Sequence, residues 1–157
     1  MKFKLSRVFV FGIVCVAIAC FDGATFGAPT DPCSLLTPAQ VGAALGVTVG
    51  AGKALAPTLC EWKPEGQSGP KTPKLDVTIQ TPRAFEAAKT QVGGGITKTP
   101  VSGVGDEAVS GTTPKFATVL TVKKGDFVFV VHVFPFSDGD EMKAKEKALA
   151  LQVLAKI

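Results

Sequence analysis

The segment Phe127–Phe134 limits the fold strongly, because it is apolar on both faces and rich in β-branched and aromatic residues. Such a run is typical of a strand inside a sheet, with both of its faces covered. The preceding segment Phe116–Val122 is also β-rich, and Gly125 between the two can take the positive φ of a tight turn. The two segments predict an antiparallel hairpin. Its second strand is predicted to be central, with its second face covered by a helix, by loops or by a partner.

A helix and a further strand are predicted upstream of this hairpin. Thr37 is a typical N-cap, Pro38 suits the first helical position, and Gln40 completes a capping box, while Gly46 ends the helix. Apolar and polar residues alternate over Leu75–Gln80, which is the pattern of a strand with one face in water.

Two more helices complete the predicted fold. Thr81-Pro82 repeats the cap-then-proline pattern and begins a helix that stops at Gly93-Gly94-Gly95. Ser137 and Asp138 cap a last helix that is predicted to continue to the end of the chain. Its apolar stripe consists of Met142, Leu149, Val153 and Ile157. The order of elements predicts an α+β fold, with an antiparallel sheet of about four to five strands packed on helices and a possible αββ pseudo-repeat.

The N-terminus has the layout of a secretory signal peptide. Three cations, Lys2, Lys4 and Arg7, precede an apolar stretch that ends at Ala19. A membrane-spanning helix needs about 20 apolar residues, and this stretch is shorter. We therefore predict a signal peptide over residues 1–19, a tether over 20–30 and a single extracytoplasmic α+β domain over 31–157.

The cleavage site determines whether the protein carries a lipid. Val16-Ala17-Ile18-Ala19-Cys20 resembles a lipobox, which predicts lipidation of Cys20 and attachment to the membrane. Ala17-Ile18-Ala19 and Thr25-Phe26-Gly27 are also acceptable small-x-small sites for the ordinary signal peptidase. Cleavage at either of these would leave a periplasmic or secreted protein. The expected location is the cell envelope, outside the cytoplasm.

Removal of the signal peptide changes the charge of the chain. The sequence has 17 basic and 13 acidic residues, and the signal holds three of the basic ones, so 14 against 13 remain, a net charge of +1. Binding to nucleic acid depends on clustered Lys and Arg that neutralise phosphates. We therefore expect no nucleic-acid partner.

Two cysteines remain in the predicted domain, Cys33 and Cys60, because Cys15 and Cys20 belong to the signal or its cleavage site. Export to an oxidising compartment favours a disulfide between them. The alternative, a redox or metal pair, has weaker support, because the spacing is neither C-x-x-C nor a zinc pattern.

Three other motifs could carry chemistry, and each has a structural interpretation. Gly103–Ala108 matches the dinucleotide-binding pattern G-x-G-x-x-A but lacks the strand before it and the helix behind it, so a turn leading into an edge strand is favoured. His132 has no evident catalytic partner and fits a half-buried strand position. Asp138, Asp140 and Glu141 could suggest calcium, but helix capping explains them. We expect no catalytic residue, no cofactor and no metal site.

Several motifs of the chain resemble those of small bacterial lipoproteins gathered in domain-of-unknown-function families. The similarity is carried by Asp31–Thr37 (DPCSLLT), Leu45-Gly46 and Leu59–Trp62 (LCEW), and later by Gly103–Ala108 and Val122–Asp126, so that it spans most of residues 31–135. The resemblance implies a cell-envelope domain with a disulfide between Cys33 and Cys60, and it implies no agreed activity. The lipobox is less typical than in that family, since Ala17 stands where Leu is usual.

These observations predict a non-enzymatic binding or assembly module that uses the exposed side of its sheet. Its partners would be the membrane, through a lipid on Cys20, and an unknown protein or small-molecule ligand. One alternative is an inhibitor of an envelope hydrolase. Another is a small enzyme or redox protein that uses His132, Asp106 or the cysteines.

Overall fold

The computed structural model describes residues 29–91, 94–113, 117–135 and 139–157. The predicted signal peptide, Cys20 and the Ser137-Asp138 cap lie outside these residues, so they stay predictions. The described elements, in chain order, are a 3-10 turn (Pro32–Ser34), α1 (Pro38–Leu45), β1 (Lys53–Ala56), β2 (Leu59–Trp62), β3 (Lys74–Gln80), α2 (Pro82–Thr90), β4 (Thr97–Pro100), β5 (Glu107–Thr113), β6 (Ala117–Lys124), β7 (Phe127–Phe134) and α3 (Gly139–Leu154).

The described strands form one antiparallel sheet of seven strands in the order β1-β2-β3-β7-β6-β5-β4. The fold is α+β, as predicted, but the expectation of four to five strands is wrong. The pseudo-repeat is also wrong, because three strands follow α1 and four follow α2. The sheet consists of two meanders, β1-β2-β3 and β4-β5-β6-β7, that meet where β3 pairs with β7.

The hairpin is formed by β6 and β7, and its second strand is the central strand of the sheet. Lys124 pairs with Phe127, which leaves a two-residue turn in which Gly125 has a φ of 56°. Because strand side chains alternate, Phe127, Phe129, Val131 and Val133 share one face of β7. All four are buried.

The main core lies on that face, beneath α1 and α3. It receives Cys60 and Trp62 from β2 and Leu75 and Val77 from β3, all fully buried. The helices contribute Val41, Leu45, Met142, Leu149, Ala150 and Val153. Helix α3 ends at Leu154 instead of the chain terminus, and Ile157 is exposed, so the predicted apolar stripe stops at Val153.

The start of α1 has the predicted capping box. Thr37 Oγ1 accepts a hydrogen bond from the Gln40 backbone N–H at 3.3 Å, and Gln40 Oε1 accepts one from the Thr37 N–H at 2.8 Å. Pro38 occupies the first turn, and Gly46 ends the helix with a φ of 74°.

Cys33 and Cys60 form the predicted disulfide, with their Cα atoms 5.2 Å apart. The bond joins the turn before α1 to β2, and so fixes the start of the chain to the sheet. It closes a loop with a sequence separation of 27 residues. A loop of that length corresponds to about 3–4 kcal/mol of stabilisation in the chain-entropy account.

Candidate functional site

The face of the sheet opposite α1 and α3 is only partly covered, and α2 is the helix that lies on it, against β6 and β7. Phe85 of α2 is fully buried, and Val109 and Val128, whose side chains point to this face, are buried as well. The ammonium groups of Lys89 and Lys123 lie 5.4 and 5.8 Å from the centre of the Phe85 ring. Phe85 therefore anchors α2 to the sheet, and the helix covers the Val128 end of β7.

The local sequence determines where α2 begins. Thr81 Oγ1 accepts a hydrogen bond from the Ala84 N–H at 3.3 Å, and Pro82 takes the first helical position, as predicted. The Gln91 N–H donates to the Ala87 carbonyl at 2.9 Å at the other end. The helix is short, so it leaves the rest of this face open.

A groove of about 440 Å³ lies between α2 and the open part of the sheet, and we name it the α2 groove. Its helix side is lined by Ala84, Ala87, Ala88 and Gln91, at the spacing of one helix face. Because the three alanine side chains are small, α2 projects little into the groove, and the space between the helix and the sheet stays open. Apolar lining also comes from Ile96, Val119 and Val130, and polar lining from Gln80, Thr113 and Thr121.

Lys98 is the cation that lines the α2 groove, and it is opposite Gly111 in the register of β4 and β5. A Cβ atom on Gly111 would lie 3.0 Å from the Lys98 Nζ, so the glycine makes room for the lysine side chain. The ion pairs found within the described ranges do not include Lys98. The α2 groove thus combines an apolar floor with one positive charge.

A network of charged residues occupies the other end of the open face. Lys74 Nζ lies 2.9 Å from a Glu61 oxygen and 3.3 Å from an Asp76 oxygen, and Lys63 Nζ is 3.2 Å from Glu61. The hydrogen bond from Lys74 lowers the pKa of Glu61, whereas burial raises the pKa of Asp76. Lys74 also lies 4.5 Å from the centre of the Phe134 ring. Each charge of the network thus has an opposite charge beside it, although Oδ1 of Asp76 is buried and has no hydrogen-bond partner among the described residues.

His132 is half-buried beside this network, as the sequence predicted. Its ring centre is 3.8 Å from that of Phe134, and Asp76 is its register partner on β3. Burial, with a smaller effect of the Lys74 charge, lowers its pKa to about 4, so the imidazole is neutral at pH 7. His132 lines none of the cavities found in the described residues. Its Nε2 is buried without a hydrogen-bond partner among the described residues, so the ring is held in place by packing against Phe134.

The segment Gly103–Ala108 is a turn that leads into β5. Asp106 accepts hydrogen bonds from Lys124 Nζ at 2.8 Å and from the Gly125 N–H at 2.7 Å, which lowers its pKa and ties the turn to the β6–β7 hairpin. The predicted turn is present, but the strand after it is not at the edge, because β4 pairs with the other side of β5.

The acidic residues of the suggested calcium site start α3. Asp140 and Glu141 lie in its first turn, at 3.7 Å from Lys143 and 2.7 Å from Lys145, and Asp138 lies outside the described residues. Within the described ranges, no group of three His, Cys, Asp or Glu residues could hold a metal ion. None of the helices described here is both long and apolar enough to cross a membrane.

The disulfide is shielded by the chain itself. Cys60 is fully buried, and a Cβ atom on Gly52 would lie 2.8 Å from its sulfur and 2.7 Å from the Trp62 ring. The glycine thus allows the chain to pass directly over the bond. This surrounding favours a structural disulfide over a reactive one.

Comparisons with protein-family models, with curated proteins and with solved structures find no match to this chain. The resemblance to small bacterial lipoproteins therefore stays a prediction.

The α2 groove was not predicted from the sequence, because it depends on the register that places β3, β7 and β6 under α2. Its one local signal is the spacing of Ala84, Ala87 and Ala88.

Proposed function

We propose that this chain is an exported cell-envelope protein, lipid-anchored through Cys20, that acts as a non-enzymatic binding module. The α2 groove is its proposed binding site, on the exposed side of the sheet. The observation that carries this proposal is the combination of an apolar floor, a row of alanines and one lysine in a single open groove.

The lining of the α2 groove favours an anionic amphiphile as ligand. An apolar body would cover Ile96, Val119 and Val130, and an anionic head would meet Lys98. At ~30 Å³ for each heavy atom, the volume of about 440 Å³ corresponds to roughly 15 heavy atoms. A medium-chain fatty acid such as dodecanoate has this size and is a suitable probe.

Binding is tested by titrating the mature protein, with Cys20→Ser to prevent lipidation, with dodecanoate while recording amide NMR spectra. Saturable shifts are expected at Ala84, Ala88 and Val130. Ala88→Leu should weaken binding about tenfold or more by filling the α2 groove, whereas Ala148→Leu, on an exposed position of α3, is the matched control and should bind normally. Equal binding by both variants would contradict the proposed site.

The contribution of Lys98 separates this site from non-specific apolar adsorption. Lys98→Gln should weaken the binding of dodecanoate and leave the binding of dodecanol nearly unchanged, because only the carboxylate interacts with the cation. Lys53→Gln, on the exposed edge strand β1, is the control. If Lys98→Gln and Lys53→Gln have the same effect, the head group does not bind at Lys98.

Attachment to the membrane is tested on the full chain expressed with its own N-terminus in a bacterial host. The expected product begins at Cys20, carries the mass of a lipid and separates with the membranes. Cys20→Ala should abolish the lipid. A mature protein that begins after Gly27, with no lipid, would show that ordinary signal peptidase processes the chain.

A further inference from the structure

Glu146 lies in the middle of α3, on the side that packs against the sheet, and is fully buried. It falls in the same stripe as Met142, Leu149 and Val153, at the i, i+3, i+4 spacing of a core-facing helix surface. All three of those residues are buried and apolar. A carboxyl group therefore replaces one apolar side chain of the core.

Only one of the two carboxyl oxygens of Glu146 has a partner in the protein. Oε1 accepts hydrogen bonds from Thr118 Oγ1 at 3.1 Å and from the Val133 N–H at 3.4 Å. Oε2 has no hydrogen-bond partner among the described residues. Buried polar groups are normally paired, so this oxygen is free to accept a hydrogen bond from a donor outside the protein.

A cavity of about 320 Å³ adjoins this carboxyl group, and we name it the Glu146 cavity. It lies between α3, β5, β6 and the segment that follows β4. Ser110 of β5 lines it too; the residue is 2% exposed, and its Oγ has no hydrogen-bond partner among the described residues. Two buried, unpaired polar groups thus line one cavity, and Val101 and Leu120 supply apolar wall.

Two lysines of α3 complete the lining. Lys147 Nζ donates to the Ser102 carbonyl at 3.0 Å, and Lys143 Nζ lies 3.7 Å from an Asp140 oxygen. The Lys143 side chain is 38% exposed, so this side of the cavity is in contact with solvent. The Glu146 cavity therefore has a negative or neutral acid at its buried end and positive charges at its open end.

We propose that the Glu146 cavity binds a small zwitterion of the amino-acid type. Its ammonium group would donate to Glu146 Oε2 and Ser110 Oγ, and its carboxylate would meet Lys143 and Lys147. A simple ammonium ion would be repelled by the lysines, and a simple carboxylate would be repelled by ionised Glu146. A molecule that carries both charges satisfies both ends. At ~30 Å³ for each heavy atom, the cavity admits about ten of them.

The affinity should depend on pH, because the ammonium group pairs with the ionised form of Glu146. Burial raises the pKa of this carboxyl to about 7, against the opposing effects of its two hydrogen bonds and of Lys143. The strands contribute only uncharged groups here, Ser110 and Thr118 among them, so Lys143 and Lys147 are the charged neighbours. Affinity should fall up to about tenfold for each pH unit below 7.

The test is an NMR titration of the mature protein at pH 8 and pH 6 with glycine, 4-aminobutyrate and 6-aminohexanoate. Butyrate and butylammonium are the single-charge controls. We expect at least one of the amino acids to give saturable shifts at Ser110, Leu120 and Ala144, with affinity at least tenfold above that of either control. Affinity should be about fivefold or more lower at pH 6. The proposal is overturned if no zwitterion saturates these shifts, or if a control binds equally well.

Variants then assign the two ends of the ligand. Glu146→Gln should weaken binding at least tenfold and remove its pH dependence, whereas Glu141→Gln, on the exposed side of the same helix, should change neither. The double variant Lys143→Ala/Lys147→Ala should weaken the binding of the zwitterion but not that of butylammonium, and Lys145→Ala is the control.

If Glu146→Gln fails to fold, Ser110→Ala tests the buried end of the cavity instead. Unchanged binding in these variants would place the ligand elsewhere. The site lies on the sheet face opposite the α2 groove, so either proposal can fail without the other.

Discussion

Replacing Glu146 by Gln should make the protein more stable at pH 8 and leave its stability almost unchanged near pH 4.5. The pKa of Glu146 is raised by burial from 4.5 to about 7, so the folded state holds a proton that the unfolded state releases between these values. Stability is therefore lost as pH rises from 4.5 to 7. At about 1.4 kcal/mol for each pH unit, the loss is about 3 kcal/mol.

His132 acts in the opposite direction over nearly the same range. Its pKa is lowered, chiefly by burial, from 6.5 to about 4, so the unfolded state binds the proton more tightly. Stability is therefore gained as pH rises from 4 to 6.5. The ring is only half-buried and is partly screened by water, so we expect a gain of about 1–2 kcal/mol instead of the full value. The two effects partly cancel in the unmodified protein.

Urea unfolding of the purified protein, with its disulfide intact, measures these effects at intervals between pH 4.5 and pH 8. The unmodified protein should lose about 1–2 kcal/mol of unfolding free energy across this range. Glu146→Gln should instead gain about 1–2 kcal/mol, because the glutamate effect no longer opposes the histidine effect. His132→Gln should lose about 3 kcal/mol, because the histidine effect no longer opposes the glutamate effect.

Asp76 also has a raised pKa, but it is present in all three proteins, so its effect cancels when their curves are subtracted. The decisive quantity is the difference between Glu146→Gln and the unmodified protein, which should grow from near zero at pH 4.5 to about 3 kcal/mol at pH 8. A difference that stays constant within about 0.5 kcal/mol would refute the reasoning, because it would mean that Glu146 ionises at the same pH in both states.

Three further predictions concern stability and use the same urea assay. Cys33→Ser with Cys60→Ser should lower the unfolding free energy by about 3–4 kcal/mol, and a smaller loss than about 1 kcal/mol would show that the crosslink is not stabilising. Gly52→Ala should cost about 1–3 kcal/mol, because its Cβ would overlap the buried disulfide and indole, whereas Gly50→Ala meets only the side chain of an exposed glutamate and should cost much less. Thr37→Ala should cost about 1 kcal/mol through loss of the capping box, and an unchanged midpoint would contradict that role.

The parts of the fold that follow from short-range chemistry were predictable from the sequence. The Thr37 and Thr81 caps, the Gly125 turn and the two-faced strand β7 each depend on a few neighbouring residues. Strands β1 and β4 were missed because each has only four residues and lies at an edge of the sheet, where little burial imposes an alternating pattern. Pro100 in β4 further weakens the strand pattern, and an edge position is where a strand tolerates proline.

The two proposed sites also differ in how much of them the sequence predicts. Glu146 has a recognisable signal in the sequence. The α2 groove needs the pairing of β3 with β7, whose partners are 48 to 60 residues apart in the sequence, and no local pattern contains that pairing. The Glu146 cavity also needs the sheet, but its central residue interrupts a regular apolar stripe at a position where Met142, Leu149 and Val153 predict a buried side chain. A glutamate there must be ionised and paired, or be kept neutral by its surroundings, because an unpaired buried charge is too costly. A single acid on the apolar stripe of an amphipathic helix therefore predicts a buried titrating group from the sequence alone. The cavity beside it cannot be predicted in that way.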